Sequence, residues 1–185
     1  IQQPTTDTLF ALFANRLAAV GGQAHRFGDS DAAATAIQVI AGSERVAWIS
    51  DGVGQRAPEL IAALHRLGFD TRTPANPGEV RDQPLGLAIA EGAIAETGSS
   101  ILVEPYVYSR SVTLMTEALV VVCPLAALLP SLDEAAGMLR TISAGGASYA
   151  TFVTGPSRTA DIERQLTVGV QGPSVFHVLL VDELT

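Results

Sequence analysis

The densest run of residues able to do chemistry is Thr154-Gly155-Pro156-Ser157-Arg158-Thr159-Ala160-Asp161-Ile162-Glu163. An apolar, strand-like run from Tyr149 to Val153 stops where it begins. A short helix is expected next, capped by Ser157 or Thr159, with Ile162 and Leu166 forming its apolar face at i, i+4. Free backbone N–H groups at a helix start can hold an anion. Arg158 can add a bidentate clamp for phosphate or carboxylate. Asp161 and Glu163 complement the dipole of the same helix and oppose an incoming anion. Two readings follow. Thr154, Gly155, Pro156, Ser157 and Arg158 form a ligand cradle supported by Asp161 and Glu163, or the segment is a well-capped structural turn. Gly172-Pro173-Ser174 repeats the punctuation just before the apolar run Val175 to Val181.

A second candidate is Ala93-Ile94-Ala95-Glu96-Thr97-Gly98-Ser99-Ser100. Glu96 follows small apolar residues and precedes a glycine and hydroxyls. Desolvated, such a carboxylate can act as acid, base or nucleophile; solvated, it belongs to a polar turn. Tyr106, Tyr108 and Arg110 follow the strand expected to end at Glu104 and can line a pocket mouth, with Arg110 holding an anion, or form a surface loop. Asp51-Gly52-Val53-Gly54-Gln55-Arg56-Ala57 matches G-x-G-x-x-A, but Pro58 marks the helix start too late for a dinucleotide site, so a loop is expected over the glycines.

Other chemistries find little support. Neither Gly-Pro-Ser segment completes the G-x-S-x-G of a serine hydrolase. His25, His65 and His177 are scattered, without metal-ligand spacing. Cys123, the only cysteine, ends an apolar run and is expected to be a buried, inert thiol. One cysteine excludes an internal disulfide and an iron–sulfur cluster held by this chain alone.

The 185 residues carry 19 acids against 11 bases, a net charge of −8. All the bases are arginine. This balance argues against nucleic-acid or anionic-membrane binding. The absence of lysine excludes a Schiff-base lysine and a P-loop. A hydrophobic content of 48% with 16% charged residues indicates a globular chain. No apolar run reaches the roughly 18 residues of a membrane span, and no signal peptide is apparent, so a cytoplasmic protein is expected. The start at Ile1 leads us to expect that residues are missing before it.

The elements that must position these residues alternate. A helix is expected over about 5–20, ended by Gly21-Gly22, then an α/β core over about 22–182. Strands are expected at Gln23 to Phe27, Arg45 to Ser50, Phe69 to Arg72, Leu85 to Ala90, Ser100 to Glu104, Ala118 to Cys123, Tyr149 to Val153 and Val175 to Val181. Helices are expected from Asp29 or Ser30 to Ala41, over Glu59 to Leu67 behind Pro58, and from Leu132 to about Ser143, the last with Ser131 and Glu134 as a capping box. Thr73 to Pro84 is the longest loop. The fold class is α/β: one Rossmann-like domain over 1–185, with a mainly parallel sheet and helices on both faces.

The residues also carry a resemblance. Thr154 to Glu163 followed by Gly169-Val170-Gln171-Gly172-Pro173 resembles the signature of the LUD-domain family, the lactate-utilisation proteins of LutC/YkgG type. Ala93 to Ser99 resembles that family's second motif, and Ser109-Arg110-Ser111 a third, weaker one. Gln171 stands where the family commonly has His, Ser99 replaces Thr, and Glu91-Gly92 replaces an Ala-Asp pair. The resemblance implies the fold shared by sugar-phosphate isomerases, coenzyme A transferases and 5-formyltetrahydrofolate cyclo-ligase. It implies a cytoplasmic subunit of an L-lactate utilisation complex, oxidising L-lactate to pyruvate with iron–sulfur LUD and oxidoreductase subunits. No cofactor or metal is then expected on this chain, and the clusters belong to partners. The expected site has Glu96 as the reactive carboxylate and Thr97, Gly98, Arg110, Thr154, Gly155, Pro156, Ser157, Arg158 and Gly172 around a small anionic metabolite, at the carboxyl ends of the strands. The alternatives are a stand-alone enzyme or binding protein for a folate, coenzyme A ester or sugar phosphate, and a scaffold that only docks partners.

Overall fold

The computed structural model describes residues 4–146, 149–160, 166–168 and 172–185. The elements in chain order are α1 (Thr6–Ala18), β1 (Gln23–Asp29), α2 (Ser30–Ala41), β2 (Val46–Ile49), α3 (Asp51–Arg56), α4 (Pro58–Arg66), β3 (Asp70–Arg72) and β4 (Leu85–Ile89). Then come β5 (Gly92–Ile94), β6 (Ser99–Val103), α5 (Val107–Met115), β7 (Ala118–Pro124), β8 (Leu128–Leu129) and α6 (Leu132–Ala144). The last are β9 (Ala150–Val153), β10 (Arg158–Ala160), β11 (Leu166–Val168) and β12 (Val175–Glu183).

Six strands form a sheet in the order β1-β12-β7-β4-β2-β3, and every neighbouring pair is parallel. The runs Leu119 to Cys123 and Val178 to Val181 are fully buried, as strands covered on both faces must be. One face packs against α2, α3 and α4 through Ala33, Ile37, Val53, Leu60 and Leu64. The opposite face carries Phe13 and Leu17 of α1 and Val112 of α5, which meets Trp48 and Val80.

The local signals explain most helix boundaries. Asp29 caps α2, its Oδ1 accepting the Ala32 N–H at 2.8 Å. Pro58 opens α4 with the φ a first turn needs. Residues 51–56 form the helix α3 and not the expected loop. Val53 is fully buried there, so tertiary burial overrides the low helix propensity of Gly52 and Gly54. A 3-10 turn, Pro77–Val80, interrupts the expected long loop. His25 and His177, scattered in sequence, meet on neighbouring strands with Nε2 and Nδ1 3.2 Å apart.

The main departure is a second sheet of four strands, ordered β8-β5-β6-β9. The expected strands at Ser100 to Glu104 and Tyr149 to Val153 belong to it, not to the parallel sheet. Its β5–β6 and β6–β9 pairings are antiparallel. Ala93 and Leu102 turn inward to the parallel sheet. Ile94 and Ile101 turn outward to Ala135, Met138 and Leu139 of α6.

Candidate functional site

The two signature segments do meet. Val153 pairs with Ser100 across β9 and β6, which sets Thr154 beside Ser99. Their hydroxyl oxygens are 2.6 Å apart, and Thr97 donates to Ser99 Oγ at 2.8 Å. Gly155 takes φ +79° where a Cβ would lie 2.9 Å from Val20 Cγ2. Pro156 packs on Gly21. The Ser157 N–H donates to the Pro173 carbonyl at 2.8 Å, and Gly172 lies against the Ser157 side chain. Thr97, Gly98, Thr154, Gly155, Pro156, Ser157 and Gly172 thus converge on the end of α1 and the turn that starts β1.

That place is the amino end of the parallel strands, not the carboxyl end where the cradle is expected. Ser174, one residue after Pro173, donates its N–H to the Glu117 carbonyl at 2.9 Å, directly before β7 begins. Among the described residues, the expected helix after Ser157 does not form. Arg158–Ala160 form β10 and pair antiparallel with β11, Arg158 opposite Val168. A strand offers no fan of free N–H groups, and the Ser157 N–H is already used. Arg158 is exposed. Asp161 and Glu163 lie outside the described residues.

Glu96 is exposed, not desolvated. Its Oε2 accepts the Leu132 N–H at 3.0 Å. Ser131 makes no side-chain cap bond to α6, so the expected capping box is replaced by a carboxylate from the turn between β5 and β6. This serves an orphan donor at the helix start. Glu96→Ala is expected to cost about 1 kcal/mol, the usual worth of a cap. Urea unfolding measures it, and Glu96→Gln should recover part of the loss through its amide oxygen.

The carboxyl ends hold a different set of groups. The strand order reverses between β2 and β4, where open α/β sheets bind ligands. Ser50 and Asp51 follow β2, and the Asp51 N–H donates to Ser109 Oγ of α5 at 2.9 Å. Glu91 follows β4, and its Oε1 lies 2.6 Å from Arg56 Nη1. Beside them lies Glu104, only 6% exposed. Thr113 donates to its Oε2 at 2.9 Å, while its buried Oε1 has no hydrogen-bond partner. Arg110 donates through Nη1 to the carbonyls of Glu104 at 2.8 Å and Pro105 at 2.9 Å. Its guanidinium carbon sits 4.2 Å from the centre of the Tyr149 ring, a cation–π contact. Leu102, Leu114 and Val153 complete a small cavity with Glu104, Arg110 and Thr113. Tyr106 and Tyr108 stack on each other, with centroids 5.3 Å apart.

Burial pushes the Glu104 carboxyl up to about 7, against the Thr113 and Ser50 hydroxyls and the charge of Arg110, which favour ionisation. Glu104 therefore carries a proton over much of the neutral range and can donate as well as accept. Folding holds this proton more tightly than the unfolded chain does. The group's contribution to stability is full below the ordinary value of 4.5 and is lost as pH rises to about 7. Glu104→Gln removes that loss. It is expected to stabilise the fold by on the order of 2 to 3 kcal/mol at pH 8 and by less at pH 5, read from urea midpoints at the two pH values. By contrast, burial drives the Cys123 thiol up to about 12, so it is no nucleophile at neutral pH.

Of the expected site residues, Arg110 alone lines this cavity. Glu104 was not anticipated. The available signal was a lone acid closing an apolar strand, six residues before Arg110.

The sequence model of the LUD domain matches residues 10–181. The chain belongs to the LUD domain family. Curated relatives include lactate utilization protein C 1 of Bacillus mycoides, 32% identical over 102 residues, covering 54% of this chain and 44% of that protein. Lactate utilization protein C of Geobacillus kaustophilus is 32% identical over 124 residues, covering 65% and 48%. The match to this LUD domain thus spans about half the length of these relatives. Among solved structures, a DUF162 family protein from Deinococcus radiodurans superposes with a TM-score of 0.73 at 18% identity, covering 97% of this chain and 99% of that one. That likeness shows the α/β fold of the LUD domain.

Proposed function

We propose that this LUD domain acts in L-lactate utilisation, as a cytoplasmic subunit of a complex that oxidises L-lactate to pyruvate with iron–sulfur partner subunits. The observation that carries the reading is the identity to proteins named lactate utilization protein C, 32% over as much as 65% of the chain. A single buried cysteine cannot supply the thiolates a cluster needs, so electrons leave through another chain. Among the described residues no helix is long and apolar enough to cross a membrane.

Two measurements test this. Removing the gene should abolish growth on L-lactate while sparing growth on pyruvate. Affinity capture of the tagged protein from lactate-grown cells should recover iron–sulfur proteins. Normal growth on lactate and no redox partner in the capture would overturn the reading. The second reading, a stand-alone enzyme or binding protein for a carboxylate- or phosphate-bearing metabolite, is favoured by the Glu104–Arg110 cavity. It expects turnover or tight binding by the isolated chain.

A further inference from the structure

The cavity between α5 and β9 is lined by two groups that keep unused hydrogen-bonding capacity among the described residues. Arg110 has five N–H donors, and among the described residues its hydrogen bonds all leave from Nη1. Among the described residues, the edge formed by Nε and Nη2 makes no hydrogen bond. The Tyr149 ring and two backbone carbonyls already fix the guanidinium in place. Such a planar, preset edge matches a carboxylate through two parallel bonds. The second group is the Glu104 carboxyl, buried with the Ser50 hydroxyl nearby but with no hydrogen bond of good geometry at Oε1. A buried polar atom left without a partner is costly and uncommon, and a ligand oxygen would satisfy it.

We propose that this cavity binds a small carboxylate bearing a hydroxyl or carbonyl oxygen on the adjacent carbon. Arg110 takes the carboxylate, and Oε1 of Glu104 takes the neighbouring oxygen. The choice of an adjacent oxygen rests on the lactate reading above; the carboxylate itself rests on Arg110. The space now enclosed is about 20 Å³, room for about one water. Its rim is formed by Leu114 and Tyr149, 52% and 41% exposed, so the cavity takes one ligand oxygen and the rest of the molecule lies across this exposed rim. The charged and titratable groups lining the cavity are Glu104, Arg110 and Tyr149. A protonated Glu104 donates to the ligand, whereas an ionised one repels its carboxylate.

The test is a calorimetric titration of the purified chain with L-lactate and with pyruvate, and with acetate and inorganic phosphate as controls. Saturable binding of lactate or pyruvate is expected, at least about tenfold tighter than acetate, which lacks the adjacent oxygen. With Glu104 titrating at about 7, binding should be about tenfold weaker at pH 8 than at pH 6. Glu104→Gln should flatten that dependence. Arg110→Ala should weaken binding at least about tenfold. Arg110→Lys, which keeps the charge and loses the fork, should also weaken it while the circular dichroism spectrum stays intact. Overturning results are no saturable binding of either acid, equal binding of acetate or phosphate, or variants that bind as the wild type does. Loss of growth on lactate with a flat titration removes this site and leaves the lactate role. Arg110-dependent binding with normal growth does the reverse.

Discussion

Gly98→Ala is expected to destabilise the domain by about 3 to 5 kcal/mol, although alanine adds only a methyl group. Two costs combine. Gly98 sits at φ +70°, where an L side chain costs about 1 to 2 kcal/mol. A Cβ there would also stand 2.6 Å from the Leu17 nitrogen and 3.0 Å from the Arg16 carbonyl carbon. These are backbone atoms of α1, so no side chain can turn away. The helix must move, and Phe13 and Leu17 beneath it are fully buried. Forcing atoms into such a contact costs about 1 to 3 kcal/mol. Gly137→Ala is the control. It lies within α6 with nothing within 4 Å of its added Cβ, so it should stabilise by up to about 1 kcal/mol. Urea unfolding of both variants decides the matter. If Gly98→Ala costs no more than a few tenths, the close approach of α1 is not what demands glycine, and a ligand role for the motif regains ground.

Phe13→Ala is the second large effect, about 3 to 5 kcal/mol. Phe13 is fully buried in one cluster with Leu17, Leu102, Phe176 and Leu180. The ring therefore joins α1, the small sheet and the parallel sheet. Its loss leaves a cavity that rigid strands on both sides cannot close. Val39→Ala, at a position 77% exposed, should change stability by no more than about 0.5 kcal/mol. The two large variants both loosen α1, so the double variant should lose less than the sum of the singles. Strict additivity would mean that Gly98 and Phe13 act on separate parts of the fold.

Helices with chemical punctuation were legible in the sequence. Asp29 before α2, Pro58 at the head of α4 and the long apolar run of β7 each carry their own local cause. The second sheet was not legible. Runs such as Ser100 to Val103 have strand chemistry, but nothing in five residues says which sheet they join. That choice is made by the hairpin at Glu96-Thr97-Gly98 and by packing against α6. The antiparallel pairing of β10 with β11 is not legible, because Ile162 and Leu166 fit a helical spacing, whereas Arg158 pairs with Val168 across the sheet. The structure brings Thr97, Gly98, Thr154, Gly155, Pro156, Ser157 and Gly172 together, but at the amino ends of the strands, and it leaves Arg110 apart. Glu104 is not legible in the sequence because burial, which the packing of distant elements creates, sets its properties against the Thr113 and Ser50 hydroxyls. A buried acid is defined by neighbours that only the fold supplies.

The strand order has a consequence for how the molecule is made. β12 is the final element, yet it lies between β1 and β7. Until Val175 to Glu183 emerge from the ribosome, the first strand has no partner, and β7 presents an unpaired apolar edge. The sheet therefore closes only once its last strand has been synthesised. A nascent chain stalled or cut before Val175 displays two open edges, the arrangement that strand-to-strand aggregation requires.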